Sequence, residues 1–202
     1  MPNTREQILD VASRLIHLRG FNNTSIDDIL RECGIGKGNF YYYFKSKDEL
    51  GLAALDRNLE QIKQELVQKS FVPGRGPWDQ LWEFLEYPIA RTRKNGCAGG
   101  CPLGNLVLEM SDIHEGFRQK LHLAFTELRT RIEDCLRQAG LQGTLREDAD
   151  VSRLARFILA AFEGAFLLGK LHQDPEVLAG IIEELKQHLE HYRTEPALGS
   201  AR

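Results

Sequence analysis

The run Gly34-Ile35-Gly36-Lys37-Gly38-Asn39-Phe40-Tyr41-Tyr42-Tyr43-Phe44-Lys45-Ser46-Lys47 sets three tyrosines, three lysines and an asparagine behind a glycine turn. Cationic and hydroxyl groups donate to phosphate oxygens, and short side chains let a backbone come close to base edges. On a helix, successive residues stand about 100° apart, so Tyr41, Tyr42 and Tyr43 cannot all face one core. Some of their hydroxyls must face outward. The residue types therefore suit contact with a nucleic acid. An aromatic core patch with solvated lysines is the plainer reading of the same residues.

The elements before the run must position it. Thr4 can cap a helix, with Gln7 as its capping-box partner. Ile8, Ala12, Leu15 and Ile16 keep helical spacing until Gly20. Thr24 and Ser25 open a second, shorter helix, with Asp27 and Asp28 favourable near its positive N-terminus. Ile26, Ile29, Leu30 and Cys33 form its apolar face, and Gly34 ends it. A tight glycine turn and the short helix from Lys37 to Phe44 complete a helix-turn-helix module. Ser46 caps the next helix, with Glu49 at the box position.

These residues resemble the DNA-binding domain of the TetR family of transcriptional regulators. The family pattern begins with a hydroxyl pair, here Thr24-Ser25, then Ile29. It continues without a gap through Gly34-Ile35-Gly36-Lys37-Gly38-Asn39-Phe40-Tyr41-Tyr42-Tyr43-Phe44-Lys45-Ser46-Lys47-Asp48-Glu49-Leu50. Two positions depart from it. Gly36 stands where a serine cap is usual, at a cost of a few tenths of a kcal/mol and one hydroxyl. Tyr43 stands where histidine is common, and its phenol donates without a charge. The resemblance implies DNA contact by Thr24, Ser25, Lys37, Gly38, Asn39, Tyr41, Tyr42, Tyr43 and Lys47. It implies an all-α fold, with a helix-turn-helix DNA-binding domain over residues 1–46 and a ligand-binding and dimerisation domain over 47–202.

Composition fits this class. Hydrophobic content of 42% and charged content of 27% are ordinary for a globular chain. No apolar run nears the roughly 18 residues that a membrane span needs. The N-terminus lacks a basic-then-apolar leader, so a cytoplasmic location is expected. Net charge is −3, and seven cations face seven carboxylates within residues 1–50. DNA affinity must come from where the cations sit, not from their number.

Beyond Leu50 the pattern stays helical. Ala53, Leu55, Leu59, Ile62 and Leu66 extend a long helix toward Lys69, and a loop runs from Phe71 to Pro77. Pro88 is expected to kink or shorten the helix that starts there. Lys94–Gly104 reads as irregular, and Thr194–Arg202 as a frayed tail. Helices near 150–171 and 175–192 carry broad apolar stripes, with Phe157, Ala161, Ala165, Ile181 and Leu185 among them. Plain core and a two-fold four-helix interface both explain such stripes; the resemblance favours a homodimer on a palindromic operator. An aromatic-rich pocket for a small, largely apolar inducer is expected among Trp78, Trp82, Leu106, Met110, Phe125, Phe162 and Phe166. Asn105, His122 and Glu163 are its candidate polar anchors.

Enzyme signals are weak. Gly164-Ala165-Phe166-Leu167-Leu168-Gly169-Lys170 nearly spells a phosphate loop, but Leu171 replaces the hydroxyl that would bind Mg²⁺. Glu184, His188 and His191 could share a helix face as metal ligands, and read more simply as exposed polar residues. No catalytic constellation and no cofactor pattern occurs. Cys33 and Cys135 lie on apolar faces. Cys97 and Cys101 flank a glycine-rich segment, and Cys101 precedes a helix start, where the dipole would lower a thiol pKa. That region resembles a subgroup of TetR-like regulators, some of which respond to electrophiles or quinones. Cys97 and Cys101 are thus redox candidates, with pocket lining as the plainer role for Cys101. A redox or small-molecule binding protein without operator binding is the alternative to a ligand-responsive repressor.

Overall fold

The computed structural model describes residues 4–195, the side chain of Asn95 apart. Among these residues the fold is all helical, apart from one isolated antiparallel bridge between Leu145 and Arg193. Residues 196–202 of the expected tail lie outside the described residues. No described helix is long and apolar enough to cross a membrane. The chain divides into two compact units. The first runs to Lys63 and adds Ala98–Ala124; the second holds Gln64–Cys97 and the chain from Phe125 onward.

In the first unit, α1 (Thr4–Arg19) packs on α2 (Ile26–Cys33) and on α4 (Lys47–Ile62). Ile8, Leu9, Ala12, Leu15 and Ile16 bury the apolar face of α1, and Leu50, Ala54 and Leu55 that of α4. Thr4 is already helical, so it does not cap α1. Gln7 does not close a capping box either; its Nε2 donates to the carbonyl of Cys33 at 3.0 Å and ties α1 to the end of α2. Ser25 caps α2 in a reciprocal box with Asp28. Gly34 closes α2 at φ 67°, a left-handed backbone that glycine adopts without strain. The helix α3 (Lys37–Tyr43) follows. Ser46 caps α4 by accepting from Glu49 N at 3.1 Å, while Glu49 reaches past the cap to Lys45 N. α7 (Pro102–Met110) packs against α4, and the start of α8 (Glu115–Leu141) adds the fully buried Phe117.

The helix expected to run unbroken to Lys69 changes character on the way. α4 ends at Ile62, a π-helical turn spans Lys63–Val67, and α5 (Gln68–Ser70) finishes the rod. In the second unit, α6 (Pro77–Asn95) continues past Pro88 and is not shortened there. Proline removes one helical donor. The hydroxyl of Thr92, buried one turn on, donates to the carbonyls of Pro88 and Ile89 at 2.8 and 3.1 Å. The irregular stretch is shorter than expected, since α7 already begins at Pro102. α9 (Val151–His172) and α10 (Pro175–Glu190) pair with each other, and α10 also packs on α6. Their starts are capped by Asp150 and Asp174. The phosphate-loop look-alike at residues 164–170 is interior α9.

Phe84 on α6 centres the second unit. It is fully buried and stacks on Phe162 of α9, with ring centroids 4.5 Å apart. Phe84→Ala should cost about 3–5 kcal/mol, since truncating a buried aromatic leaves a cavity that packed neighbours fill only in part. Chemical denaturation measures it; a loss below about 1 kcal/mol would place the centre of this core elsewhere.

Candidate nucleic-acid interface

α3 has seven residues and one buried side chain. Phe40 is 0% exposed, and its ring meets Phe44 at 5.9 Å and Tyr41 at 5.2 Å. The rest of α3 faces out. Tyr42 is 80% exposed and Tyr41 56%, while Tyr43 is half-buried with its ring edge-on to Tyr42 at 4.8 Å. Lys37, Gly38 and Asn39 are exposed on the first turn of α3. The first-turn N–H groups of a helix carry partial positive charge toward an approaching anion.

Gly36 and Gly38 are informative through what surrounds them. Gly36 caps α3 with φ −83°, and its missing side chain leaves the cap without a side-chain hydrogen bond. A Cβ at either position would meet no protein atom within 4 Å. Among the described residues, no neighbour demands glycine at these two sites.

The cations near α3 are unequally engaged. Lys37 Nζ lies 3.1 Å from Asp27, and Arg31 and Arg14 are paired with Asp28 and Glu32. Lys45 and Lys47 have no carboxylate partner among the described residues. Lys47 instead donates to the carbonyl of Asn22 at 3.4 Å and sits 4.5 Å from the ring centre of Phe21. The hydroxyl pair divides by burial. Thr24 is fully buried and donates to the Gly20 carbonyl at 2.8 Å, so in the free chain it sets the turn before α2. Ser25 is exposed, and its hydroxyl donates to Asp28 at 2.5 Å. That bond first, with the Ser25 amide, holds the Asp28 carboxyl below its usual range.

The residues expected around an inducer fall in both units. In the second, Trp78, Phe162 and Phe166 are buried, and Phe125 and Glu163 half-buried. Trp78 spends its Nε1–H on Thr144. Trp82 lies 5.5 Å from Trp78 and lines a surface cavity of about 570 Å³ with Arg75, Asp79, Glu83, Glu86 and Lys186. In the first unit, Leu106 and Met110 are buried, Cys101 and Asn105 half-buried, and His122 exposed. Asn105 donates to the carbonyl of Gly99 at 2.5 Å and braces the glycine loop. Gly99 passes so near His17 that an added Cβ would sit 2.5 Å from its Nε2.

The four thiols separate by burial. Cys33, Cys97 and Cys135 are buried, and Cys101 is half-buried at the N-cap of α7, where its sulfur accepts from Gly104 N at 3.3 Å. Burial raises the thiol pKa of Cys33 and Cys97 and pushes that of Cys135 up to about 12. Sequence reasoning missed Glu109 of α7. Its carboxylate accepts from the backbone N–H of Phe21 and Asn22 at 2.8 and 2.7 Å, a contact 88 and 87 residues away with no local signature. Among the described residues, no group of three or more His, Cys, Asp or Glu could hold a metal ion.

Comparison with known proteins gives the same picture. Residues 8–54 match the family model for bacterial regulatory proteins of the tetR family. Residues 77–185 match a tetracyclin repressor-like C-terminal domain. An HTH-type transcriptional regulator of the lacX 3' region of Lactococcus lactis subsp. lactis is 36% identical over 93% of this chain and 94% of its own. The HTH-type transcriptional repressor NemR of Escherichia coli K12 is 24% identical over 91% and 92%. A solved TetR transcriptional regulator from Chloroflexus aurantiacus superposes with TM-score 0.86 at 27% identity, covering 94% of this chain and 96% of that one.

Gly38→Ala tests the meaning of the bare surface. Alanine should stabilise α3 by up to about 1 kcal/mol, because glycine is the poorer helix former and the methyl meets no neighbour. The same change should weaken binding to DNA. Thermal melting and a fluorescence-anisotropy titration measure the two; a variant that is more stable and binds as well would show that nothing approaches Gly38 closely.

Proposed function

This chain belongs to the TetR family of bacterial transcriptional regulators, and we propose that it acts as a homodimeric repressor released from a palindromic operator by a small, largely apolar or electrophilic inducer. A DNA-binding regulator, not an enzyme, follows from the family itself. The observation that supports the DNA contact is the outward face of α3: exposed phenols and first-turn donors beside two glycines where an added Cβ would meet no described neighbour. On this reading residues 1–46 bind DNA in the cytoplasm, and residues 47–202 take the inducer and form the dimer. Thr24 and Ser25 set the approach of α2. Tyr41, Tyr42, Tyr43 and Lys47 hold phosphates, and Lys37, Gly38 and Asn39 read the major groove. A two-fold dimer would place its two recognition helices one turn of DNA apart, roughly 34–36 Å.

The surface for that dimer is supported by α9. Phe157, Ala160, Leu167, Leu168 and Leu171 are exposed at helical spacing, Leu171 to 71%. This differs in part from the stripe expected from sequence. Ala165 and Leu185 are buried within the single chain, and Ala161 and Ile181 half-buried. An arginine at Ala165 would disturb the fold and say little about assembly. Leu167→Arg together with Leu171→Arg keeps the core and places charges on the stripe. Light scattering should then show monomer at micromolar concentration and operator affinity should fall more than tenfold, since burying an unpaired charge costs several kcal/mol. A double variant that stays dimeric sinks this interface.

For the trigger, the buried and half-buried aromatic side chains of the second unit suit an apolar, planar inducer; the surface cavity that Trp82 lines is otherwise charged and polar and does not itself match one. Cys101 supplies the electrophile arm. Its sulfur can add to a quinone ring carbon; the thiol proton passes to one ring oxygen, the hydrogen of the attacked carbon passes to the other as the ring becomes aromatic, and the product is a hydroquinone thioether, with no outside oxidant. The other three thiols are buried. With p-benzoquinone as probe, mass spectrometry should find Cys101 modified first, and modification should release operator DNA from the wild type but not from Cys101→Ser. Equal release from both would make sensing non-covalent.

A further inference from the structure

We propose that Glu109 is a positioning residue for DNA binding: from α7 it holds the turn between α1 and α2, and that turn holds the ammonium of Lys47. The proposal rests on the reading of Lys47 as a phosphate contact.

The turn is gripped from two sides. On one side the Glu109 carboxylate accepts from two consecutive backbone N–H groups, those of Phe21 and Asn22, at 2.8 and 2.7 Å. Consecutive N–H groups form a small anion-binding concavity, and bonds from them to a carboxylate are charge-assisted. On the other side the carbonyl of Asn22 accepts from Lys47 Nζ at 3.4 Å, and the Phe21 ring lies 4.5 Å from the same ammonium. Phe21 is itself buried, its ring 5.2 Å from that of Phe117. The turn therefore cannot shift without moving the charge it carries. An ammonium has three donors, so one bond to Asn22 leaves the others for a phosphate.

The first end of α7 also touches α1. Gly100, just before the N-cap, accepts from His17 Nε2 at 3.0 Å, which fixes the ring proton on that nitrogen. At the far end Asn22 Nδ2 lies 3.9 Å from Met110 Sδ. From Cys101 to Glu109 is about 12 Å of helix at 1.5 Å per residue. A displacement of α7 at its N-cap thiol is then delivered, through one carboxylate, to the turn that sets Lys47. This is a stated route for regulation inside the first unit.

The test is a double-mutant cycle on operator binding with Glu109→Ala, Lys47→Ala and both. Lys47→Ala should weaken binding about tenfold and lower the salt slope by about one unit, as for loss of one charged phosphate contact. Glu109→Ala should weaken it severalfold, and the double variant should bind within about twofold of Lys47→Ala alone, because neighbours that act as one unit are not additive. Hydrogen exchange should quicken at the Phe21 and Asn22 amides and stay unchanged at Leu15 in the core of α1. Glu109→Gln, which keeps an acceptor, should recover part of the loss, and it carries the same cycle where the alanine variant folds poorly. Additive losses, or unchanged exchange at Phe21 and Asn22, overturn the coupling while leaving Lys47 a DNA contact. A Lys47→Ala variant with wild-type affinity and salt slope overturns the phosphate reading and the proposal with it.

Discussion

Everything outward-facing on α3 depends on one inward-facing ring. A seven-residue helix is too short to persist alone in water, and Phe40 is its single buried side chain. Phe40 anchors its middle and Phe44 its C-cap, and of the three phenols between them Tyr41 and Tyr42 are left to solvent. Such a helix gains little from its own residues and is held by its surroundings. The αL turn at Gly34 sets where it starts, and the Ser46 cap of α4 sets where the chain must go next. The larger helices α1 and α4 are the frame on which this small surface is mounted.

The balance of charge in the N-terminal region then ceases to be a puzzle. The seven carboxylates within residues 1–50 are not spread evenly over the seven cations: Arg14, Arg31 and Lys37 are each matched by a carboxylate of the same region, and two carboxylates reach outside it. Glu6 and Asp10 pair with Arg57 of α4, Glu32 with Arg14, and Asp28 with Arg31 and the Ser25 hydroxyl. Glu49 accepts from Lys45 N, and the Lys45 ammonium has no carboxylate partner among the described residues. Asp27 sits on Lys37 at the start of α3. That exposed pair is worth little in water and is easily exchanged for a phosphate. Placement of charge decides the field here, and the net sum conceals it.

Much of this was legible in the sequence, for reasons that are local. Caps at Ser25 and Ser46, the glycine stop at Gly34 and the outward tyrosines follow from side-chain chemistry over a few residues, and the structure keeps each of them. What escaped was long-range or two-sided. The π-helical turn at Lys63–Val67 leaves no mark in an apolar pattern that tolerates one extra residue. Pro88 was expected to kink or shorten α6, and the helix continues past it to Asn95. α9 is apolar over most of its circumference, so periodicity could not separate Ala165, which faces its own chain, from Leu167 and Leu171, which do not. Glu109 meets Phe21 only after the chain has passed through α4 and α6.

If the proposed inducer acts covalently, the distribution of thiols favours addition over disulfide chemistry. A disulfide needs two sulfurs, one of which must attack as a thiolate. Cys97, the nearer partner in sequence, is buried, and burial first and the charge of Asp174 second keep its thiol protonated. Cys33 and Cys135 are held back in the same way by burial. A molecule that carries its own electrophilic carbon needs only one exposed sulfur, and Cys101 alone of the four is not buried. Its place at the N-cap of α7 matters as much as its exposure. The sulfur there accepts from Gly104 N, so a new bond at sulfur competes with a bond that begins the helix. The same helix ends on Glu109. A chemical event at one sulfur is thereby joined, through nine residues of α-helix, to the turn beneath Lys47.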